Sequence, residues 1–179
     1  MSVFSNRSFD PPAERAAYAG AILALLGDRD PLAVLRETPP ALRRAIAGLS
    51  DEQLRRPEAP GKWSIVHVLQ HLADSDLVWA WRVRLILAHD RPTITGYDQD
   101  LWADRLHYGE ADVSLALDDF SVLRRSNMRL LGAATAADMQ RVGVHAERGE
   151  ESVAHMIKMY AGHDLLHLAQ LERIRAVVA

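Results

Sequence analysis

The sequence ESVAHMIKMYAGHDLLHLAQLERIRAVV, residues 151–178, predicts one long helix around which the chain is organised. Residues spaced alternately four and three apart along it form a seam, the pattern with which a bundle helix contacts its partners. The seam consists of Val153, Ile157, Tyr160, Asp164, His167, Leu171 and Ile174. Asp164 and His167 are polar, and His163 lies one turn before His167 on the same face. Because buried polar groups need partners, this helix carries either a satisfied polar cluster or a metal site.

A second pair of histidines with the same spacing lies on the other long helix. That helix is predicted over residues 65–89, and His67, His71, Asp74 and Val78 fall on one of its stripes. Imidazole nitrogens suit zinc, nickel, cobalt or iron, and three of them leave positions on the ion for water or substrate. The spacing alone leaves two alternatives open, namely a metal site and ordinary hydrogen-bonded or exposed histidines.

The composition is that of a single globular domain spanning residues 1–179. Hydrophobic residues make up 49% and charged residues 25% of the chain, which is ordinary for a globular protein. No apolar run approaches the roughly 20 residues of a membrane span. The net charge of −3 predicts no nucleic-acid partner, and the absence of a signal-peptide pattern predicts a cytoplasmic location. The chain has no cysteine, so only His, Asp or Glu could hold a metal.

The N-terminal third is predicted to add helical turns to a bundle. After a flexible arm at residues 1–11, helix formers predict a helix over residues 12–26. A short helical piece follows over residues 30–36. Thr38 is then expected to cap a separate helix that begins with the prolines at 39–40, because proline is tolerated at the first helical positions.

Two connections separate the long helices. Residues 90–110 form a long connection, whose aromatic residues favour an ordered, lid-like loop. A third long helix is predicted over residues 111–131, and a polar crossover over residues 138–149 leads to the last helix. No stretch is typical of a strand. The prediction is therefore an all-α fold, a four-helix bundle with an extra N-terminal helical segment and a long loop between its second and third helices.

Three stretches carry a resemblance to a known family. GKWSIVHVLQHLADSD at 61–76, PTITGYDQDLW at 92–102 and AGHDLLHLAQLERI at 161–174 resemble the DinB/YfiT-like superfamily of metal-binding four-helix bundles. The resemblance covers roughly residues 30–175. It implies one divalent ion, nickel or zinc, bound by a histidine of the second helix and two of the fourth. Those ligands fall on His71, His163 and His167.

The resemblance also implies a choice of activities. Members of the superfamily include S-transferases and isomerases that use bacillithiol, mycothiol or glutathione, and others are named metal-dependent hydrolases. Two departures leave the substrate class open. His67 stands where another polar residue is expected and could be a spare ligand, and Leu166 stands where a second histidine often precedes the last ligand.

Three further polar residues are candidates for catalysis. Asp164 and Asp74 could accept a hydrogen bond from a ligand imidazole, and the alternative is ordinary ion pairing at the surface. A hydrolase would need a general base, for which Asp74, Asp164 and His67 are the candidates. Arg124 lies on the seam of the third helix and could bind a carboxylate of a thiol cofactor or substrate. Its alternative is a buried salt bridge to Asp74, Asp76 or Asp164.

Two aromatic residues of the long connection are candidates for cofactor binding. Tyr97 and Trp102 could close over the site, although loop aromatics commonly only anchor a loop. Neither the spacing of the histidines nor the composition of the connection decides between these roles.

Three functions follow from these residues. The first is a thiol S-transferase in which the metal activates a low-molecular-weight thiol, consistent with a chain that has no cysteine nucleophile. The second is a hydrolase that uses metal-bound hydroxide. The third is a non-catalytic, metal-stabilised helical module. The expected partners are a small-molecule substrate and a thiol, with no nucleic acid and no membrane, and a homodimer is possible.

Overall fold

In the computed structural model, which describes residues 12–146 and 148–179, four long helices pack around a shared core. The elements in chain order are α1 (Pro12–Leu26), α2 (Pro31–Ile46), α3 (Asp51–Arg55), α4 (Ile65–Ala88), β1 (Thr93–Ile94), α5 (Gln99–Arg105), a 3-10 turn (Tyr108–Glu110), α6 (Val113–Ala133), α7 (Ala136–Met139), β2 (Val142–His145), β3 (Gly149–Ser152) and α8 (Val153–Val178). Helices α2 and α4 each contact both α6 and α8, so the four close into a ring. The predicted four-helix bundle is confirmed. None of the described helices is long and apolar enough to cross a membrane.

Helix α8 buries the seam that the sequence predicts. Ser152 caps its first turn, and the Oγ atom accepts a hydrogen bond from the backbone N–H of His155 at 3.1 Å. The helix starts two residues later than predicted because the preceding residues form β3. The polar seam members Asp164 and His167 are only 1% and 2% exposed, so each must find its partners inside the bundle.

The prediction of two separate helical pieces around the prolines is wrong. Residues 31–46 form one helix, whereas the sequence predicted a piece ending at Arg36 and a new helix at Pro39. Pro39 lacks the N–H that would bond to the carbonyl of Leu35, four residues earlier. That carbonyl instead accepts a hydrogen bond from the Arg124 guanidinium on α6 at 3.0 Å. The helix therefore continues through the proline with this buried carbonyl satisfied.

The prediction that the chain has no strand is also wrong. Strand β2 pairs in parallel with β1 and antiparallel with β3, which gives a three-stranded sheet in the order β1-β2-β3. The sheet joins the connection after α4 to the crossover before α8. In β2, Gly143 and His145 are buried while Val142 and Val144 are half-buried. This is the reverse of the apolar alternation that marks a strand in a sequence.

The connection after α4 is built from short elements rather than one loop. It contains β1, α5 and the 3-10 turn before α6 begins at Val113. Asp98 caps α5, and its carboxylate accepts hydrogen bonds from the backbone N–H groups of residues 100 and 101. The helix predicted over residues 12–26 is present as α1. The arm predicted at residues 1–11 lies outside the described part of the chain.

Helix α1 packs on α8 through a close approach of the two backbones. A Cβ atom added at Gly162 would lie 2.3 Å from the carbonyl oxygen of Ile22, far inside contact distance. Because residue 162 has no side chain, α1 lies directly against α8 at the residue before His163.

Candidate metal centre

Three imidazoles from two bundle helices meet at one point. His71 lies on α4, while His163 and His167 lie one turn apart on α8. The Nε2 atom of His163 is 3.2 Å from Nε2 of His71 and 3.1 Å from Nε2 of His167. The ligand atoms of all three lie within 4.8 Å of one another. The structure thus brings together the three residues that the resemblance implied as ligands.

Burial keeps the three imidazoles neutral. His71 and His167 are buried and His163 is half-buried. Burial lowers the pKa of His71 and of His163 well below the ordinary value, and it lowers the pKa of His167 to about 4. A neutral imidazole offers a lone pair to a metal, whereas a protonated one does not. The cluster is therefore in the ligating form at neutral pH.

Gln170 fixes the orientation of one imidazole. Its Oε1 atom lies 2.8 Å from Nδ1 of His167 and is an acceptor, so Nδ1 of His167 must carry the hydrogen and Nε2 the lone pair. Such a hydrogen bond to the non-ligating nitrogen is the usual support of a metal-binding histidine. Gln170 was missed at the sequence level, although its position three residues after His167 puts the two on one helix face.

The donor set fits a divalent ion of the zinc type. A tetrahedral ion with metal–nitrogen bonds of about 2.0–2.1 Å separates its ligand nitrogens by about 3.3 Å. Nε2 of His163 lies 3.2 Å from Nε2 of His71 and 3.1 Å from Nε2 of His167, close to that value. Nε2 of His163 carries at most one hydrogen, so it can donate to only one of its two neighbours. An ion at the centre would satisfy all three.

Arg124 and Asp164 form a second buried cluster, one turn from the histidines. The Arg124 guanidinium donates to Asp164 Oδ2 at 2.5 Å and to Asp76 Oδ1 at 3.0 Å. Thr38, the expected helix cap, lies inside α2 and donates its hydroxyl to Asp164 at 2.7 Å. The guanidinium carbon also lies 4.5 Å from the ring centre of Phe120. The alternative weighed for Arg124, a buried salt bridge, is the one the structure contains.

The ionic cluster is closed to the surroundings. Arg124 is 2% exposed, and Asp76 and Asp164 are each 1% exposed. Burial acts to lower the pKa of Arg124, but the two carboxylates outweigh it and raise the pKa further above its usual value. Burial raises the pKa of Asp76 to about 6, against the opposing effect of Arg124. The catalytic and cofactor-binding roles predicted for Arg124 and Asp164 stay predictions, at positions that do not line the cleft described below.

Asp74 and His67 lie away from the three histidines. Asp74 accepts hydrogen bonds from the Tyr108 hydroxyl at 2.5 Å and from the Gln70 amide at 3.2 Å. Nδ1 of His67 lies 2.8 Å from the Ser64 hydroxyl. Burial raises the pKa of Asp74 and lowers the pKa of His67. Asp74 anchors the 3-10 turn to α4, and His67 is not part of the cluster that could hold an ion.

A cleft opens beside the histidine cluster, between α1, α4, α8 and the connection after α4. Its lining residues are Tyr18, Ala19, Ile22, His71, Ser75, Arg82, Gly96, Tyr97, Gln99, Arg148, Glu151, Met156, Met159, Tyr160 and His163. Tyr97, a predicted cofactor-binding residue, lines it, and its hydroxyl lies 2.7 Å from Ser75 Oγ. Trp102, the other, packs behind Tyr97 with 4.5 Å between ring centres. The arrangement gives a small molecule access to His71 and His163.

Comparison with known proteins places the chain in a family. The model of the DinB superfamily matches residues 35–171. A protein from Geobacillus thermodenitrificans is 32% identical over 146 residues, which are 80% of this chain and 82% of that protein. The chain belongs to the DinB superfamily. A further relative of this DinB-superfamily protein, from Oceanobacillus iheyensis, is 30% identical over 137 residues, 76% of this chain and 79% of that protein. Both relatives carry the name "Putative metal-dependent hydrolase".

A solved structure has the same fold as this DinB-superfamily protein. YfiT from Bacillus subtilis superposes with a TM-score of 0.75 at 24% identity, over 96% of this chain and 91% of that chain. Its description is of a four-helix bundle with an unusual topology. The likeness confirms the four-helix bundle.

Proposed function

We propose that this DinB-superfamily protein is a metal-dependent enzyme, in which His71, His163 and His167 hold one nickel or zinc ion through their Nε2 atoms. The convergence of three neutral imidazoles beside an open cleft carries the proposal. An ion bound there would lower the pKa of a coordinated thiol or water and so supply a nucleophile at neutral pH. Three protein ligands leave room for such a group.

The reaction we propose is transfer of a low-molecular-weight thiol to an electrophile. The thiol loses its proton to solvent, its sulfur forms the new bond to carbon, and the leaving group departs with the electron pair. This reaction needs no general base from the chain. The absence of a base in the mechanism fits the cleft, because the three candidate bases, Asp74, Asp164 and His67, are bonded elsewhere and do not line it.

The chain's own residues have defined parts in this reaction. Gln170 holds His167 with its Nε2 lone pair toward the cluster. The hydroxyl of Ser75 lies 3.4 Å from Nε2 of His71 and bonds to the hydroxyl of Tyr97. This bond holds the connection after α4, which forms one wall of the cleft, against the helix that carries His71. Met156 and Tyr160 line the cleft, and their side chains would limit the access of water to a thiol bound beside the histidine cluster.

Hydrolysis of a substrate is the second candidate, because the curated relatives are named as hydrolases. Glu151 is the carboxylate that lines the cleft. Burial acts to raise the pKa of Glu151, but the two-pronged bond from Arg148 outweighs this and lowers it. A general base works best with a pKa near 7, so a lowered value makes Glu151 a poor one. This favours the thiol reaction over hydrolysis.

The metal site is tested by elemental analysis of purified protein. Native protein supplied with nickel or zinc should contain about one ion per chain, and the His163→Ala/His167→Ala variant should contain almost none. His155→Ala is the matched control, since it removes another histidine of α8 that lies outside the cluster. It should bind metal as the native protein does. Undiminished metal in the double variant would refute the proposed site.

The reaction class is tested on the metal-loaded protein with two substrates. Monochlorobimane with bacillithiol, mycothiol or glutathione reports thiol transfer, and p-nitrophenyl acetate without thiol reports hydrolysis. We expect conjugation that requires both the thiol and the metal and is lost in the His163→Ala/His167→Ala variant. Metal-dependent ester hydrolysis, with conjugation at the uncatalysed rate for every thiol, would instead establish the second candidate.

A further inference from the structure

Arg82 is a nearly buried cation in the wall of the cleft. It lies on α4, the helix that carries His71, and is 6% exposed. Both residues line the same cleft. Eleven residues separate them, which is about 16 Å along a helix axis, and a helical side chain leans toward the N-terminus, here toward His71. The guanidinium and the histidine cluster therefore face different parts of one cleft.

The guanidinium of Arg82 has fewer partners than a buried cation needs. Its Nη2 donates to the backbone carbonyl of Thr95, and its Nε has no acceptor. Within the described residues no carboxylate lies at salt-bridge distance from it. A buried charge is costly unless it is paired. Glu151 feels the charge of Arg82, but its carboxylate is bonded to Arg148. Arg124, by contrast, has two carboxylates.

Among the described residues that line the cleft, the charge of Arg82 is not balanced by a bonded carboxylate. Arg148 and Glu151 also line it, and they bond to each other through two hydrogen bonds of 2.5 Å and 2.9 Å. No other carboxylate is among the lining residues of the described chain. The remaining positive charge fits a ligand with one negative charge.

The rest of the wall favours an apolar or aromatic body for that ligand. Tyr18, Tyr97 and Tyr160 line the cleft together with Met156 and Met159. Aromatic faces and thioethers contact planar apolar groups well. A guanidinium prefers a planar carboxylate, which it binds with charge-assisted hydrogen bonds.

We propose that Arg82 binds the carboxylate of the substrate, and that the substrate is a small aromatic or apolar carboxylic acid whose far end faces the histidine cluster. This assigns to Arg82 the part that the sequence assigned to Arg124. The inference rests on the proposed function. Reaction at the end of the substrate away from its carboxylate requires that the histidine cluster hold the metal ion.

The test measures binding of 3-phenylpropionate and of its neutral amide, 3-phenylpropionamide, by calorimetry. Both metal-free and metal-loaded protein are titrated, so that contact of the carboxylate with the ion is separated from contact with Arg82. The native protein should bind the acid at least tenfold more tightly than the amide in both forms. In Arg82→Met this preference should disappear, and in Arg82→Lys it should be intermediate. Arg129→Met, which removes an exposed arginine of α6, should retain it in full.

The acid–amide comparison separates binding from a purely structural role. If Arg82 only anchored Thr95, the substitution would weaken both ligands alike or neither. Equal binding of acid and amide by the native protein, no binding of the acid at millimolar concentration, or an unchanged preference in a folded Arg82→Met would overturn the proposal. If Arg82→Met does not fold, the intermediate preference of Arg82→Lys decides.

Failure of this inference is distinguishable from failure of the proposed function. The acid preference of the metal-free protein depends on Arg82 alone, whereas metal content depends on the histidines. Absence of the acid preference in native protein that still binds metal through its histidines would refute only the carboxylate subsite. Metal binding that survives in the His163→Ala/His167→Ala variant would refute only the metal centre.

Discussion

Two buried polar clusters lie side by side in this bundle, and they differ in the kind of groups that they bring together. The ionic cluster of Asp76, Arg124 and Asp164 is held by hydrogen bonds and salt bridges among its own members and their neighbours. The histidine cluster brings together three Nε2 atoms, whose contacts are with one another and, for His71, with the Ser75 hydroxyl at 3.4 Å. Asp164 and His167 are adjacent members of one seam, so position in the bundle does not explain the difference.

The contrast between the two clusters indicates which buried polar residues serve binding rather than stability. A structural cluster pairs opposite charges and closes on itself, and breaking it leaves an uncompensated charge. A binding cluster collects groups of the same kind, here lone pairs, and opens onto a cleft. Substitutions in each cluster and a change of pH test this distinction.

The Arg124→Gln variant should lose the most stability. It leaves Asp76 and Asp164 buried without a cation, and breaking a buried pair in this way costs about 3–5 kcal/mol. Urea unfolding of the metal-free protein measures the loss. Arg129→Gln, on the exposed face of α6, should change the free energy of unfolding by less than about 0.5 kcal/mol. An Arg124 variant as stable as the native protein would remove the distinction between the clusters.

Acid should destabilise the metal-free protein through the histidines. The pKa of His167 is about 4 in the folded chain and about 6.5 when unfolded. Between those values the unfolded state binds protons that the native state does not. The free energy of unfolding therefore falls by about 1–3 kcal/mol as the pH is lowered from about 6.5 to about 4. Asp76, with a pKa of about 6, acts in the opposite direction.

The histidine contribution is isolated by comparing the native protein with His163→Ala/His167→Ala over that pH range. Both proteins contain Asp76, so its contribution cancels in the difference. The native protein should lose more stability than the variant between about pH 6.5 and pH 4. Parallel curves for the two proteins would show that the imidazoles are not held in the neutral form.

Gln170→Leu should weaken metal binding about 10- to 100-fold while leaving the three ligands in place. The substitution removes the acceptor that holds Nδ1 of His167. Competition with a chelator of known affinity measures the change. Gln70→Leu is the matched control, because that amide bonds to Asp74 and not to a ligand, and its metal affinity should equal that of the native protein. Equal affinities for the two variants would contradict the orienting role.

His67→Ala should have the smallest effect. The imidazole bonds to Ser64 and does not belong to the histidine cluster, so metal affinity should stay within about twofold of the native value. Its stability should fall by only about 1 kcal/mol, the usual net contribution of one hydrogen bond. A loss of metal comparable to that of the double variant would show that His67 is a ligand, as the sequence left open.

The site was partly predictable because helix periodicity specifies faces. The spacing of His163 and His167 placed both on one side of α8, and the family resemblance added His71. Periodicity also placed Arg124 and Asp164 in two seams, but it could not say which seam residues would meet. The pairing depends on how the helices are arranged, so the salt bridges of Arg124 to Asp76 and Asp164 could be weighed only as one of two alternatives.

The sheet and the continuity of α2 were missed because their signals lie in tertiary contacts. In β2 the buried positions are Gly143 and His145, and a Cβ at Gly143 would lie 2.8 Å from the side chain of Ile86. Residue 143 is buried where there is no room for a side chain. The strand therefore lacks the alternation of apolar and polar side chains by which a strand is recognised in a sequence. In α2, Pro39 would normally end or kink the helix. The hydrogen bond from Arg124 to the Leu35 carbonyl, which no local sequence shows, compensates for the missing N–H.

Gly162 allows α1, which forms one wall of the cleft, to lie directly against α8 at Ile22. Any side chain at residue 162 would separate α1 from α8, because the obstacle is the backbone carbonyl of Ile22 and cannot rotate away. Helix α1 supplies Tyr18 and Ile22 to the cleft, whereas the three imidazoles come from α4 and α8. A side chain at residue 162 would therefore change the width of the cleft through α1 without removing any of the three imidazoles.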